Sequence, residues 1–347
     1  MIQTIRKAWN IPELRKKIVF TLLILLIYRI GNAIPVPYVD VGALSEYLNS
    51  MKTTVLGLYN VMSGGAFADA TVFALSIQPY INASIIIQLL TVAIPALERM
   101  AREEGEEGRK KIASITRYTT VGIGLIQGFA YYMLMRNQYN ILTNDSIAAA
   151  FVIIVTFVAG SAFIMWLGEQ ITEFGIGNGI SIILFASIIS RIPAGIGTMY
   201  SNREVLGVPG IVGILVGLLA LIVLITHVYN AERRIPVQYA KRQVGRKMYG
   251  GQSTTLPVKV NMSGVLPIIF AQSIAMLPAT IAAFLPAPQE GSFWYGFIQA
   301  IDTKSVLYML AYFLMIIGFS YFYATIQFNP TEIANNLKRN GGFIPGF

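Results

Sequence analysis

Residues 146–167 read SIAAAFVIIVTFVAGSAFIMWL, an apolar run without a single charged side chain. A helix of this length spans about 30 Å at 1.5 Å per residue, which matches the hydrocarbon core of a bilayer. Lipid offers no hydrogen-bond partner to the backbone, and a helix satisfies its own amide groups. The stretch therefore predicts a transmembrane helix and an integral membrane protein.

Similar apolar runs lie on both sides of this stretch. The whole chain is 55% apolar and only 12% charged, about half the charged share of a soluble domain. We expect an all-α polytopic membrane protein with eight spans, of which the fifth is the shortest. The predicted spans cover residues 18–36, 72–95, 114–135, 146–167, 180–197, 208–228, 263–285 and 305–327.

Lysine and arginine are distributed unevenly between the loops. Of the 26, twenty lie on one side of the predicted spans, five lie on the other, and Arg29 lies within the first span. Cytoplasmic loops carry such an excess, so both ends of the chain are expected in the cytoplasm. Residues 1–17 are basic and amphipathic and precede a span without a small-residue cleavage site. We interpret them as a retained cytoplasmic segment.

Two cytoplasmic loops are long. Residues 96–113 carry mixed charge, and residues 229–262 are basic. In the second loop, RIPVQYA (234–240) and TLPVKV (255–260) are strand-like runs around a Gly-Gly break, which predicts a protruding hairpin. A loop of this length favours a binding partner, although a solvated anchor loop would also carry positive charge.

The segment TVLGLYNVMSGGAFADAT (54–71) precedes the second span on the outer side. It is too short and too rich in glycine to cross a bilayer. One interpretation is a re-entrant half-helix, which must be surrounded by protein or water. The other is an ordinary surface helix, and the sequence alone leaves both open.

The sequence argues against several function classes. None of the seventeen acidic residues lies in the middle of a span, although coupled transporters usually need such a carboxylate. One histidine, His227, and no cysteine leave no metal cluster, and no nucleophile–base pair indicates an enzyme. GIGNG (175–179) lacks the spacing and βαβ context of a nucleotide loop, so it predicts a tight turn. We expect no cofactor and a large cargo that no single polar site holds.

Five long stretches of the sequence carry a recognisable pattern: PYINASIIIQLL (79–90), GIGNGISIILFA (175–186), ERRIPVQYAKR (232–242), VNMSGVLPIIFAQSIAMLPAT (260–280) and NPTEIANNLKRNGGFIPG (329–346). Together with YRIGNAIPVP (28–37), they cover essentially the whole chain. In sequence, order and spacing they resemble the signature stretches of one family, the SecY family of bacteria.

The resemblance implies a fold and a function. The fold is a clamshell of two inverted, pseudo-symmetric halves around a pore. The N-terminal half would cover 18–197, the partial C-terminal half 208–327, and a cytoplasmic loop 328–347. The function is the central subunit of a protein-conducting channel in the plasma membrane, which passes unfolded polypeptides and releases membrane helices through a lateral gate.

The resemblance also implies particular site residues. A ring of side chains would close the waist of the pore, and a plug at 57–70 would fill its outer funnel. The paired ring residues are four apart, so each pair shares one helix face. The implied ring is Ile81, Ile85, Ile180, Leu184, Ile269 and Ser273, and the implied plug residues are Leu58, Met62, Gly64, Gly65 and Phe67.

Partners follow from the same resemblance. They are the small subunits SecE and SecG, the motor ATPase SecA or the ribosome, signal sequences, nascent chains and membrane lipid. The implied partner-binding loop residues are Arg233, Arg234, Lys241, Arg242, Arg246, Lys247, Lys338 and Arg339.

The chain departs from the family in one respect, because the family has ten spans and eight are predicted here. We expect a fragment, or a chain whose second half is completed elsewhere. A solute permease with broken helices and inverted repeats is the alternative function. The lack of intramembrane carboxylates and the large basic loop favour the channel.

Overall fold

The chain folds into two compact units, which are described separately. The first comprises residues 1–197 and 273–309, and the second comprises residues 198–272 and 310–347. The computed structural model describes residues 9–50, 55–102, 105–137, 141–239, 242–244, 247–249, 253–284, 296, 305–328 and 330–345.

The N-terminal part of the chain is helical. Its helices are α1 (Pro12–Gly31), α2 (Val41–Ser50), α3 (Val55–Met62), α4 (Gln78–Ala93), α5 (Pro95–Arg102), α6 (Gly105–Arg136), α7 (Ile147–Phe174), α8 (Gly179–Ile189) and α9 (Ile192–Ser201).

The C-terminal part combines helices with short strands. The elements are α10 (Arg203–Asn230), β1 (Glu232–Tyr239), β2 (Arg242–Val244), β3 (Lys247–Tyr249), β4 (Ser253–Lys259), α11 (Leu266–Phe284), α12 (Val306–Gln327), α13 (Pro330–Arg339) and β5 (Gly342–Phe343).

The all-α polytopic fold is confirmed, and each predicted span overlaps a helix. Among the described residues, four helical segments have the length and composition to cross a membrane, and a fifth is added if the pair α4–α5, bent by 106°, counts as one span. The four are 147–174, 179–201, 207–230 and 306–326. No residue in the apolar stretch of α10 is buried by protein, as expected of a surface that faces lipid.

The predicted outer ends of the first two spans are wrong. Residues 32–36 and 72–77 are not helical. Instead, Pro35 and Thr71 pair as a short antiparallel bridge, and the Val72 amide donates to the Ile34 carbonyl at 2.9 Å. Pro35 and Pro37 have no backbone N–H and cannot continue α1. The bridge and this hydrogen bond therefore join the end of α1 to the segment that precedes α4.

The predicted tight turn before span 5 is confirmed, and it joins α7 to α8. Asn178 caps α8, with its Oδ1 accepting from the Ser181 amide at 3.0 Å. The Thr172 hydroxyl accepts from the Gly179 amide at 2.9 Å, and the Thr21 hydroxyl accepts from the Ile176 amide at 3.2 Å. These bonds satisfy helix-end amides that would otherwise be unpaired, and they tie the turn to α1.

The predicted hairpin in residues 229–262 is confirmed within the second unit. Strands β1 and β4 pair antiparallel from Glu232 with Lys259 to Gln238 with Ser253. The sequence did not predict two additions. In chain order, a smaller antiparallel pair, β2–β3, lies between β1 and β4 and forms its own two-stranded sheet. Strand β5 pairs with the other edge of β1.

Candidate functional site

The predicted plug, residues 57–70, begins within α3 and continues as buried turns. We call it the plug segment, and we call residues 71–77, which join it to α4, the connector. Phe67 is only 5% exposed, and Ala66, Ala68 and Ala70 are buried with it. The plug segment is thus part of the packed interior of the first unit.

A row of aromatic rings crosses this interior. Ring centroids lie 4.8 Å apart for Tyr59 and Phe67, 4.3 Å for Phe67 and Tyr131, and 5.0 Å for Tyr131 and Phe157. Each such pair contributes about 0.5–1.5 kcal/mol beyond its buried area. The row fastens the plug segment to α6 and α7.

Two phenol hydroxyls bond to the backbone of this region. Tyr59 donates to the Leu75 carbonyl at 2.9 Å, and Tyr131 donates to the Phe67 carbonyl. Burial raises the pKa of Tyr59 well above its usual range. The hydroxyl therefore stays protonated and remains a donor.

Asn60 and Ser63 hold the turn that follows α3. The Asn60 Oδ1 accepts from the Ala68 amide at 3.0 Å, and its carbonyl accepts from the Gly65 amide at 2.9 Å. The Ser63 hydroxyl accepts from the Phe67 amide at 3.1 Å. Side chains thus satisfy a backbone that forms no regular helix.

The predicted plug glycines meet the C-terminal end of α8. Gly64 and Gly65 have φ of 68° and 98°, a region that favours glycine. A Cβ on Gly64 would lie 3.0 Å from the Ser187 carbonyl oxygen, and one on Gly65 would lie 2.6 Å from Nη2 of Arg191. Glycine is therefore needed both for the turn and for the close approach to α8.

The other predicted plug residues lie in α3. The Met62 sulfur accepts from Nε2 of Gln78, the first residue of α4, at 3.4 Å. Leu58 lies in α3, and its side chain is outside the described residues.

The six predicted ring residues occupy α4, α8 and α11. Ile81 and Ile85 are 8% and 5% exposed on α4. Ile180 and Leu184 are half-buried on α8, and Ile180 packs on α7, with Cγ1 3.2 Å from where a Cβ on Gly168 would lie. Ile269 and Ser273 are half-buried on α11, Ile269 in the second unit and Ser273 in the first. Their convergence on one axis stays a prediction.

The basic loop residues lie on the hairpin and on α13. Arg233 and Arg234 are exposed on β1, and Arg234 pairs with Glu232 at 2.8 Å. Lys338 and Arg339 are exposed in the last turn of α13. Lys241 and Arg246 lie outside the described residues, as do the side chains of Arg242 and Lys247.

Sequence reasoning missed several residues that form or contact the plug segment. Tyr59, Asn60, Tyr131, Ser187 and Arg191 are dispersed along the chain, and no spacing connects them. One signal was present, because a tyrosine within an apolar span must find a partner for its hydroxyl. Within the described part of the chain, no group of three or more His, Cys, Asp or Glu side chains could hold a metal ion.

Apolar spans, a short half-helix packed in the protein interior and a basic hairpin define a multi-pass α-helical membrane protein. The SecY family model matches residues 71–347. A protein translocase subunit SecY of Streptomyces scabiei is 43% identical over 360 residues, which cover 100% of this chain and 82% of that one. The chain belongs to the SecY family.

Two solved structures have the same fold. The name of one states that the plug domain of the SecY protein stabilizes the closed state of the translocation channel and maintains a membrane seal. This structure has a TM-score of 0.64 at 19% identity, and the match covers 96% of this chain and 78% of that one. The other, Sec61 in a canine ribosome–channel complex, has a TM-score of 0.59 at 17% identity, covering 92% and 75%. At these identities the likeness supports the fold alone.

Proposed function

We propose that this chain is the central, pore-forming subunit of a protein-conducting channel in a bacterial plasma membrane. Its 43% identity to a protein translocase subunit over its full length carries the proposal. The cargo is an unfolded secretory polypeptide, and membrane helices leave sideways into lipid. This relationship favours the channel over a solute permease.

An apolar waist is the barrier to ions in this proposal. The ring is assigned to Ile81, Ile85, Ile180, Leu184, Ile269 and Ser273. An apolar constriction resists wetting, so an ion would lose its hydration shell there. An extended polypeptide replaces that water with its own side chains. The burial of Ile81 and Ile85 within protein supports the assignment.

The plug segment closes the outer funnel at rest. Its aromatic row, the Tyr131 bond to the Phe67 carbonyl and the Tyr59 bond to the Leu75 carbonyl support a defined resting seat. Opening requires the segment to leave that seat. Spans 2 and 3 (α4 and α6) then part from spans 7 and 8 (α11 and α12), and a signal sequence moves into lipid because its apolar residues are stabilised there.

The basic hairpin is the proposed docking surface for SecA or the ribosome. The proposed orientation places the N-terminus of the chain, and this hairpin, in the cytoplasm. Exposed Arg233, Arg234, Lys338 and Arg339 support this proposal, since ribosomal RNA attracts such charge. SecE and SecG are the proposed small subunits.

Cysteine crosslinking tests the proposed function, because the chain has no cysteine of its own. Ile85→Cys is placed in the membrane-embedded protein, and a secretory precursor with one cysteine is stalled during export. We expect a disulfide between Ile85→Cys and the precursor. Val155→Cys, on an exposed face of α7, is the matched control and should remain unlinked. Equal adducts at both sites, or adducts only with a small solute analogue, would contradict the channel.

A further inference from the structure

Arg191 packs against the docked plug segment in an unfavourable way. A Cβ on Gly65 would lie 2.6 Å from Nη2 and 3.1 Å from Nε of Arg191, so the guanidinium rests on the plug turn. Its Nε is shielded from solvent and has no hydrogen-bond partner among the described residues. A charged donor that loses water without gaining an acceptor destabilises the state that buries it.

Ser76 adds a second unfavourable group in the connector. It is 1% exposed and has φ of 50°, where the Cβ of an L residue crowds the neighbouring carbonyl. Its hydroxyl also lacks a partner within the described part of the chain. Backbone strain and an unsatisfied buried hydroxyl therefore coincide at one residue.

We propose that Arg191 and Ser76 set the threshold for release of the plug segment, because both make its docked conformation less stable than its packing alone would. This inference rests on the proposed function, in which the plug segment leaves its seat during opening. On release, water reaches the Arg191 Nε and the Ser76 backbone relaxes. Both residues act through the stability of the docked segment.

The favourable contacts of the plug segment explain why unfavourable groups such as Arg191 and Ser76 would help the channel to open. Stacked rings and buried hydrogen bonds hold the plug segment firmly. An incoming signal sequence can shift the equilibrium only by its own difference in affinity for the open and closed states. Unfavourable groups in the seat reduce the free-energy difference between the closed and open states to a size that this difference in affinity can overcome.

Hydrogen–deuterium exchange tests the inference without reference to transport. The variants are Arg191→Met, which keeps a long apolar chain without a donor, and Ser76→Gly, which removes both the strain and the hydroxyl. We expect slower exchange across 63–77 in each, by roughly fivefold to tenfold for Arg191→Met. Arg203→Met, at an exposed arginine stacked on Tyr200, should leave exchange of 63–77 unchanged. Unchanged exchange in α7 verifies folding.

Faster or unaltered exchange across 63–77 in both variants would overturn the inference. A separate assay in membrane vesicles addresses function. Arg191→Met should lower the resting ion leak and reduce export of a precursor with a weakened signal sequence more than export of the intact precursor. If exchange slows but leak and export do not change, the proposed sealing role of the plug segment fails, while the effect of Arg191 on docking stands.

Discussion

Tyr131 and Phe67 are joined twice, because the Tyr131 hydroxyl donates to the Phe67 carbonyl and their rings stack with centroids 4.3 Å apart. Both side chains are buried, and 64 positions separate them in the chain. One contact therefore combines a backbone hydrogen bond with ring packing. It ties the plug segment to a specific place on α6.

Tyr131→Phe should loosen the plug segment while leaving the ring stack intact. The Phe67 carbonyl would lose its phenol donor, and an unsatisfied buried group costs about 1–3 kcal/mol. We expect amide exchange across 63–77 to accelerate by about fivefold or more. Tyr132→Phe is the matched control, since that hydroxyl bonds to Asp145 at 3.3 Å. Equal acceleration in both variants would show that the Tyr131 bond is not specific to the seat.

Gly64→Ala should destabilise the docked plug segment. A side chain at φ of 68° costs about 1–2 kcal/mol, and the oxygen 3.0 Å away belongs to the Ser187 backbone, which cannot rotate aside. We expect a higher resting ion leak in vesicles. Gly122→Ala, on α6 with no atom within 4 Å of the new Cβ, should leave the leak at the wild-type level. A leak that does not rise in Gly64→Ala argues against this seat.

Thr172→Val should weaken the α7–α8 turn. The hydroxyl accepts from the Gly179 amide and donates to the Gly168 carbonyl at 2.9 Å. Valine would leave the buried Gly179 amide unpaired, at a cost of about 1–3 kcal/mol. We expect a lower Tm in detergent. Thr156→Val is the control, because that hydroxyl bonds only within its own helix, to Val152. A Tm loss no larger than the control's would refute the role of the Thr172 bond.

Arg117 and Glu169 link α6 to α7 by an ion pair of 2.8 Å. Both side chains are partly exposed, so we expect a coupling of only about 0.2–1 kcal/mol. A double-mutant cycle with Arg117→Met and Glu169→Gln, measured by chemical unfolding in detergent, gives this coupling. It should shrink as salt rises. A coupling several times larger and insensitive to salt would mean that the pair is shielded from solvent.

The sequence predicted the helical class, the turn before α8 and the β1–β4 hairpin. Each depends on local patterns, namely apolar run length, glycine placement and alternating strand residues. The outer ends of the first two spans were wrong because 32–36 and 72–77 are apolar enough for a span, yet they form turns that are joined by the Pro35–Thr71 bridge and the Val72–Ile34 hydrogen bond. Run length measures the preference for lipid, but it does not detect a backbone partner elsewhere in the chain.

By itself, the sequence located a helix within each predicted span, because the free energy of placing an apolar run in lipid is a sum over neighbouring residues. Only the tertiary structure decided how residues 57–70 are seated. That seat depends on Phe67 meeting Tyr131 and on Gly64 meeting the backbone of Ser187. Such pairs join residues far apart in the chain, and their energy arises only once folding has brought them together.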